Sequence, residues 1–269
     1  MAFGRKNHLD NETMKNGAKL ITLANPQSVI SEQFRNIRTN INFMNVDKEV
    51  KTIAFTSAMA SAGKSTVSAN VSITMAQAGK KTILIDADLR RPTLHSTFNV
   101  SNSNGLTTLL TSRAKEMGAN SVIRESGVEN LSILTAGPIP PNPSELLSSK
   151  HMLDLIEDLK QEYDMVVIDL APILDAAETQ QLTSSLDGTI LVVRQAYSQK
   201  SAVKRAVELL KLTNSPILGY VMNDVDADGD DGYGYGYGYG YGYGYGYGEE
   251  KEKKGLLSLI HISEPTRLQ

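Results

Sequence analysis

Cysteine is absent from this 269-residue chain. That excludes a disulfide framework, a thiolate zinc site and a thiol nucleophile, and it fits a reducing compartment. The four histidines, His8, His95, His151 and His261, show no metal-ligand spacing and are given no role. Neither sign of charge prevails: 27 basic and 30 acidic residues leave a formal charge of -3, with Lys and Arg scattered rather than gathered in a block. Nucleic acid needs a basic surface to replace its counterions, so non-specific nucleic-acid binding is not expected. No apolar run approaches the roughly 20 residues that span a bilayer, and the N-terminus lacks the apolar core of a secretory signal. Membrane association therefore has to come through a partner or a surface helix.

What is present is a chain with 41% hydrophobic residues, long enough to bury one substantial core. Residues 1–26 are polar and aperiodic and are expected to be flexible. Helical spacing starts in 28–43, where Val29, Phe34, Ile37, Ile41 and Phe43 recur among charged and amide residues. From Lys51 onward, short apolar runs alternate with longer helical patterns. The runs 52–56, 82–86, 131–135, 165–169, 189–193 and 217–222 predict strands, and 65–78, 150–161, 177–185 and 201–212 predict helices. Near-continuous Ile, Val and Leu runs joined by helices imply a parallel sheet buried on both faces. The expected architecture is a doubly wound, mostly parallel α/β domain over 27–228, whose ligands bind at the carboxyl ends of the strands.

After Asn223 the composition changes to Asp224, Asp226, Asp228, Asp230 and Asp231. Tyr233, Tyr235, Tyr237, Tyr239, Tyr241, Tyr243, Tyr245 and Tyr247 then alternate strictly with glycine. Alternate glycines make this backbone too costly in entropy to order without packing, so 229–254 is expected to be a disordered tail. By itself such a repeat reads as a low-complexity spacer or a self-associating segment. Leu257 to Arg267, LSLIHISEPTR, looks like the in-frame translation of a sequencing-library adapter. Residues 255–269 are therefore treated as non-native and kept out of the functional reading.

The segment Ala58-Met59-Ala60-Ser61-Ala62-Gly63-Lys64-Ser65-Thr66 follows a predicted strand and opens a predicted helix, the context a P-loop requires. Small residues let backbone N–H groups wrap phosphates, Lys64 can reach the β- and γ-phosphates, and the Ser65 hydroxyl can ligate magnesium. Ala58 stands where the usual pattern has its first glycine. A second apolar strand closes on Asp86-Ala87-Asp88-Leu89-Arg90, and a third, Val166-Val167-Ile168, closes on Asp169, as in a Walker B magnesium site. One aspartate at a strand end reads as a helix cap or a turn. Three of them together with Lys64 read as a cation and phosphate site.

These residues resemble the bacterial tyrosine kinases of capsule and exopolysaccharide synthesis, which are P-loop enzymes. No H-R-D or D-F-G segment of a eukaryotic-type kinase is present. The likeness extends to Glu32-x-x-Arg35-x-x-Arg38, to Ala136-Gly137, to Pro140-Pro141-Asn142-Pro143-x-Glu145-Leu146 and to the tyrosine tail, covering 27–254. The family often has Pro-Gly where this chain has Ala60-Ser61, and Pro where it has Ala171. Cell-division and plasmid-partition ATPases share the expected sheet, but usually carry a signature lysine at the position of Met59 and lack a tyrosine tail. An ATPase switch of that kind is the alternative reading, and a catalytically silent scaffold is a third.

The resemblance implies an ATP- and Mg2+-dependent kinase that phosphorylates its own tail tyrosines and regulates polysaccharide chain length and export. Phosphoryl transfer needs in-line geometry, charge neutralisation and a proton acceptor. Asp86 is assigned as base, and Asp88 and Asp169 as holders of magnesium through its waters, together with Ser65. How Asp86 and Asp88 divide these roles stays open. Ala62, Gly63, Lys64, Ser65 and Thr66 fall to the phosphates. By resemblance, Arg90 helps fix the site and Asn223 contacts adenine. Glu32, Arg35 and Arg38 read on their own as a solvated helix face with a weak pair. In the family that pattern joins subunits into a ring in which one tail enters the next active site. The resemblance further implies a cytoplasmic chain recruited to the inner face of the membrane by a membrane-anchored activator or co-polymerase, and a cognate tyrosine phosphatase.

Overall fold

The computed structural model describes residues 14–44, 49–111 and 121–225. All six apolar runs are strands, within a residue or two of the bounds their patterning predicts: β1 (Thr52–Ser57), β2 (Thr82–Ala87), β4 (Leu131–Leu134), β5 (Met165–Leu170), β6 (Gly188–Arg194) and β7 (Ile217–Asn223). A two-residue edge strand, β3 (Arg124–Glu125), pairs antiparallel with β4. It is too short to leave a sequence signal. The sheet order is β3-β4-β2-β5-β1-β6-β7, and every other pairing is parallel.

Alternation within the apolar runs divides the core between the two faces. Ile53, Phe55, Leu84 and Val167 pack with Phe34, Ile37 and Ile41 of α2 (Val29–Met44) and with Val67, Val71 and Ile73 of α3 (Lys64–Gln77). Ala54, Ile83, Ile85, Val166 and Ile168 face the other way, toward Met152, Ile156 and Leu159 of α7 (Lys150–Glu162) and Leu182 of α8 (Ala177–Thr183). Each fully buried aliphatic or Phe side chain contributes about 1.5–3 kcal/mol relative to exposure. Such burial stabilises the strands, whereas individual surface pairs do little. On the outer side of β6 lies α9 (Lys200–Leu212), through Ala206 and Leu210.

Helix α3 lies between the sheet and α2 and is buried on nearly every side, which explains its lack of an amphipathic pattern. Its interior polar residues bond locally: the Ser72 hydroxyl donates to Ser68 O and the Thr74 hydroxyl to Val71 O. Asn70 instead reaches outward to Lys19 and Thr22, so that part of the stretch expected to be flexible packs against α3. Thr22, in α1 (Ile21–Ala24), donates to Asn70 Oδ1 through its N–H at 3.1 Å and its hydroxyl at 2.8 Å, while Asn70 Nδ2 donates to Lys19 O at 2.9 Å. A buried amide requires partners, and this polar stretch supplies them. Short helices α4 (Leu94–Phe98), α5 (Leu106–Thr111) and α6 (Pro143–Leu147) were not legible either, since a helix of five or six residues barely completes one period.

Candidate functional site

The loop after β1 turns at Gly63 (φ 90) into α3. A Cβ at Gly63 would lie 2.0 Å from Asn223 Nδ2, so a side chain there would displace that amide and strain a left-handed backbone. That amide donates to Ala62 O at 2.8 Å. Asn223, expected at the adenine, is thus seated on the phosphate loop itself. Lys64, Ser65 and Thr66 begin α3, where unpaired N–H groups and the helix dipole favour an anion. Ser61 holds a left-handed backbone (φ 61) at a position where the resembling family often has glycine. An L-residue costs about 1–2 kcal/mol in that conformation.

Beyond the loop, β2 and β5 run side by side with Asp86 in register with Asp169. Asp86 Oδ2 accepts from Thr93 N at 3.0 Å and Leu94 N at 2.9 Å. Asp88 Oδ2 accepts from Lys64 Nζ at 2.8 Å, and Asp88 Oδ1 accepts from Arg91 N at 3.0 Å. Asp86 Oδ1 and both Asp169 carboxylate oxygens are buried, with no partner at hydrogen-bonding geometry among the described residues. Burial first, and then the Asp169 charge, push the Asp86 carboxyl up to about 8. Burial also raises Asp169, to about 6, although the nearby Lys64 ammonium and Ser65 hydroxyl offset part of that rise. Burial alone lowers Lys64, but Asp88, Asp169 and Asp86 outweigh it and hold its pKa well above the ordinary value.

Three carboxylates thus face one ammonium. Among the described residues no three acidic or histidine side chains converge closely enough to hold a metal alone. That set fits Mg2+, which keeps several waters and is bound through one or two carboxylates plus phosphate oxygens. Of the four expected ligands, Asp169 keeps both oxygens and Asp86 keeps Oδ1 outside hydrogen-bonding geometry among the described residues, Asp88 spends its two oxygens on Lys64 Nζ and Arg91 N, and Ser65 opens α3 near Asp169.

Arg90 does not point into this group. Its Nε donates to Glu178 Oε1 at 2.8 Å, and the Ser144 hydroxyl donates to Glu178 Oε2 at 2.8 Å. Glu178 is only 1% exposed. Burial raises its pKa, yet the Arg90 and Ser144 contacts hold it below the usual range. Sequence reasoning missed Glu178, because an acid in the first turn of a helix reads as a dipole partner. The Pro143-Ser144-Glu145 stretch was the available signal, and its Ser144 is what touches the network. Glu32 and Arg35 pair at 2.7 Å on α2, while Arg38 Nη1 donates to Thr74 O near the C-terminal end of α3 at 2.9 Å. The structure therefore brings two of these three residues together and turns the third inward. The eight tail tyrosines and residues 255–269 lie outside the described residues.

The AAA domain family matches residues 50–217. Tyrosine-protein kinase YwqD of Bacillus subtilis is 44% identical over 204 residues, which are 76% of this chain and 85% of that protein. The kinase domain of Escherichia coli tyrosine kinase ETK superposes with a TM-score of 0.74 at 32% identity, covering 81% of this chain and 85% of that one. The septum site-determining protein MinD from Pyrococcus horikoshii, complexed with Mg-ADP, has a TM-score of 0.53 at 26% identity and covers 65% of this chain and 70% of its own. The fold is thus that of the P-loop NTPases that include the cell-division ATPases. Among the described residues no helix is long and apolar enough to cross a membrane. Both sequence and structure lie nearer the kinases than the partition-type ATPases, and this chain belongs to the bacterial tyrosine kinases of capsule and exopolysaccharide synthesis.

Proposed function

We propose that this chain transfers the γ-phosphoryl group of ATP to tyrosines of its own tail, 233–247, and thereby regulates capsule or exopolysaccharide polymerisation and export. The observation that carries the reading is Lys64 set among the buried carboxylates Asp86, Asp88 and Asp169 at the carboxyl ends of β2 and β5. Bound Mg2+ supplies charge neutralisation on the phosphates. Ala62, Gly63, Lys64, Ser65 and Thr66 bind and orient the phosphates through backbone N–H groups and the Lys64 ammonium. Asp169 and Ser65 hold the cation, with Asp88 beside them. Asp86 takes the tyrosine proton: burial has raised its proton affinity toward the operating pH, where a general base is most effective. Arg90, held by Glu178, fixes the segment that leaves β2 after Asp86 and carries Asp88. Asn223 supports the phosphate loop through Ala62 O and would contact the adenine.

Subunits assemble through the Glu32, Arg35 and Arg38 face of α2, and one tail enters the next site. Each added phosphate brings about two negative charges, so a modified ring repels itself and dissociates. The chain is cytoplasmic and is recruited to the membrane by an anchored activator, and a tyrosine phosphatase resets it. Intact mass after incubation with Mg-ATP and the activator's cytoplasmic segment tests the reading, beside Lys64→Ala. Phosphate steps confined to the tail and absent from Lys64→Ala are expected. Release of inorganic phosphate from unmodified protein would make it an ATPase switch instead.

A further inference from the structure

Six non-glycine residues among those described hold a left-handed backbone. Three are asparagines, which adopt it readily, and the others are Ser61 (φ 61), Ala196 (φ 55) and Asp224 (φ 58). Ser61 is in the phosphate loop, Ala196 in the turn after β6, and Asp224 just past β7, at the root of the tail. Arg194 joins them. Its Nε and Nη2 reach Asp224 Oδ2 at 2.8 and 2.7 Å, and its Nη1 donates to Ser61 O at 3.3 Å. The guanidinium lies 5.4 Å from the centre of the Tyr197 ring. Its own backbone is anchored, with its N–H donating to Ser198 Oγ and its carbonyl accepting from Ser198 N, both at 2.9 Å. Gln195 N donates to Asn223 O at 2.9 Å, and Asn223 in turn donates to Ala62 O. Two consecutive residues at the root of the tail, Asn223 and Asp224, are therefore tied to two consecutive residues of the phosphate loop, Ala62 and Ser61.

Backbone strain of this kind persists only where the surroundings over-determine it, and it gathers at ligand clamps and switches. Serine does not hold such a turn unaided. We propose that Arg194 is a latch by which the root of the tyrosine tail holds the phosphate loop in its binding conformation, with Arg194 and Asp224 as positioning residues for nucleotide. The inference rests on the nucleotide-binding reading above and adds a physical link between the tail and the site that would modify it. A planar guanidinium spans a carboxylate and a carbonyl at once, which an ammonium cannot do with the same geometry.

The test is ATP affinity by calorimetry on the full chain with Mg2+, beside thermal unfolding. Arg194→Ala and Asp224→Asn are each expected to weaken ATP binding about fivefold, and the double variant no more than Arg194→Ala alone, because both break one coupled unit. In the Arg194→Ala background, Ser61→Gly is expected to restore most of the lost affinity, since glycine adopts the turn unaided. A role confined to global stability predicts a lowered thermal midpoint in Arg194→Ala with ATP affinity of the folded chain at the wild-type value. Wild-type affinity in Arg194→Ala, additive losses, or no rescue by Ser61→Gly would each overturn the latch. Should Arg194→Ala fail to fold, Arg194→Lys is read by the same criteria. A wild-type chain that binds no ATP would sink the nucleotide reading and the latch with it, whereas normal binding in every variant sinks the latch alone.

Discussion

Aspartates stand at both edges of the sheet, and their surroundings are opposite. At the amino edge, Asp187 accepts hydrogen bonds from Lys51 N at 3.0 Å, Thr52 N at 2.9 Å and the Thr52 hydroxyl at 2.8 Å, tying the start of β6 to the start of β1. Burial raises its pKa, but these donors outweigh burial and hold it below the usual range. At the carboxyl edge both Asp169 oxygens and one Asp86 oxygen have no such donors among the described residues, and both carboxyls are pushed upward. The residue type is the same, but one edge uses its carboxylate to close the fold while the other keeps its charge in reserve. Unsatisfied buried charge is costly to a ligand-free protein, which supports the cation and phosphate site proposed for this edge.

The comparison is broken most directly at Asp86. Asp86→Asn should lower tail phosphorylation at least about 100-fold, the usual scale for removing a general base, as read by phosphate added per chain. The same change should raise the thermal midpoint at pH 8, because a neutral amide replaces a buried charge and puts a donor where Oδ1 had no partner. The pH dependence gives the sign. Asp86 and Asp169 have folded pKa values of about 8 and about 6 against 3.8 for an unperturbed carboxyl. The folded state therefore binds more protons, and stability falls as pH rises from about 4 to about 8. The gain in Asp86→Asn should vanish near pH 4, and a variant less stable than wild type at pH 8 would refute the contrast between the edges.

Asp187 should behave in the reverse sense. Asp187→Ala leaves two N–H groups and a hydroxyl without their acceptor, and should cost about 1–3 kcal/mol of stability with ATP affinity unchanged. Its folded pKa is lowered, so its contribution is present above the ordinary carboxyl pKa and is lost as pH falls through the lowered value. Denaturant midpoints at pH 7 and pH 3 would show this, and a changed ATP affinity would mean that the two edges are coupled. The smallest effect is expected at Ser61→Gly in the otherwise unaltered chain. Relief of about 1–2 kcal/mol of left-handed strain, less about 0.5–1 kcal/mol of extra chain entropy, leaves a gain of about 0.5 kcal/mol. A domain of this size would show it as a rise of about 1–2 °C in thermal midpoint, and a fall would place the strain elsewhere.

Six of the seven strands and the long helices were legible because apolar runs and 3.6-residue spacing are local consequences of which faces become buried. Lys64, Asp86, Asp88 and Asp169 were legible because strand ends and the loop that follows them lie at one edge of a parallel sheet, so topology alone gathers them. Arg90 was expected at the phosphate site but turns to Glu178, 88 residues away, a partner the sequence did not reveal. Arg38, read as part of a surface face, turned out to reach Thr74 across 36 residues. Lys19 and Thr22, in a polar stretch with no periodic signal, are held because Asn70 supplies their acceptor and donor.

The amino-acid sequence by itself determined the parallel α/β sheet, the phosphate loop and the acidic strand ends, since sterics and hydrophobic periodicity act between near neighbours. Only the tertiary structure decided which charges are satisfied and which are left waiting, and that Arg194 should bind Ser61 and Asp224 together. Those choices depend on distances between groups far apart in the chain, and the energy of a buried charge or hydrogen bond exists only once folding has brought its partner within reach.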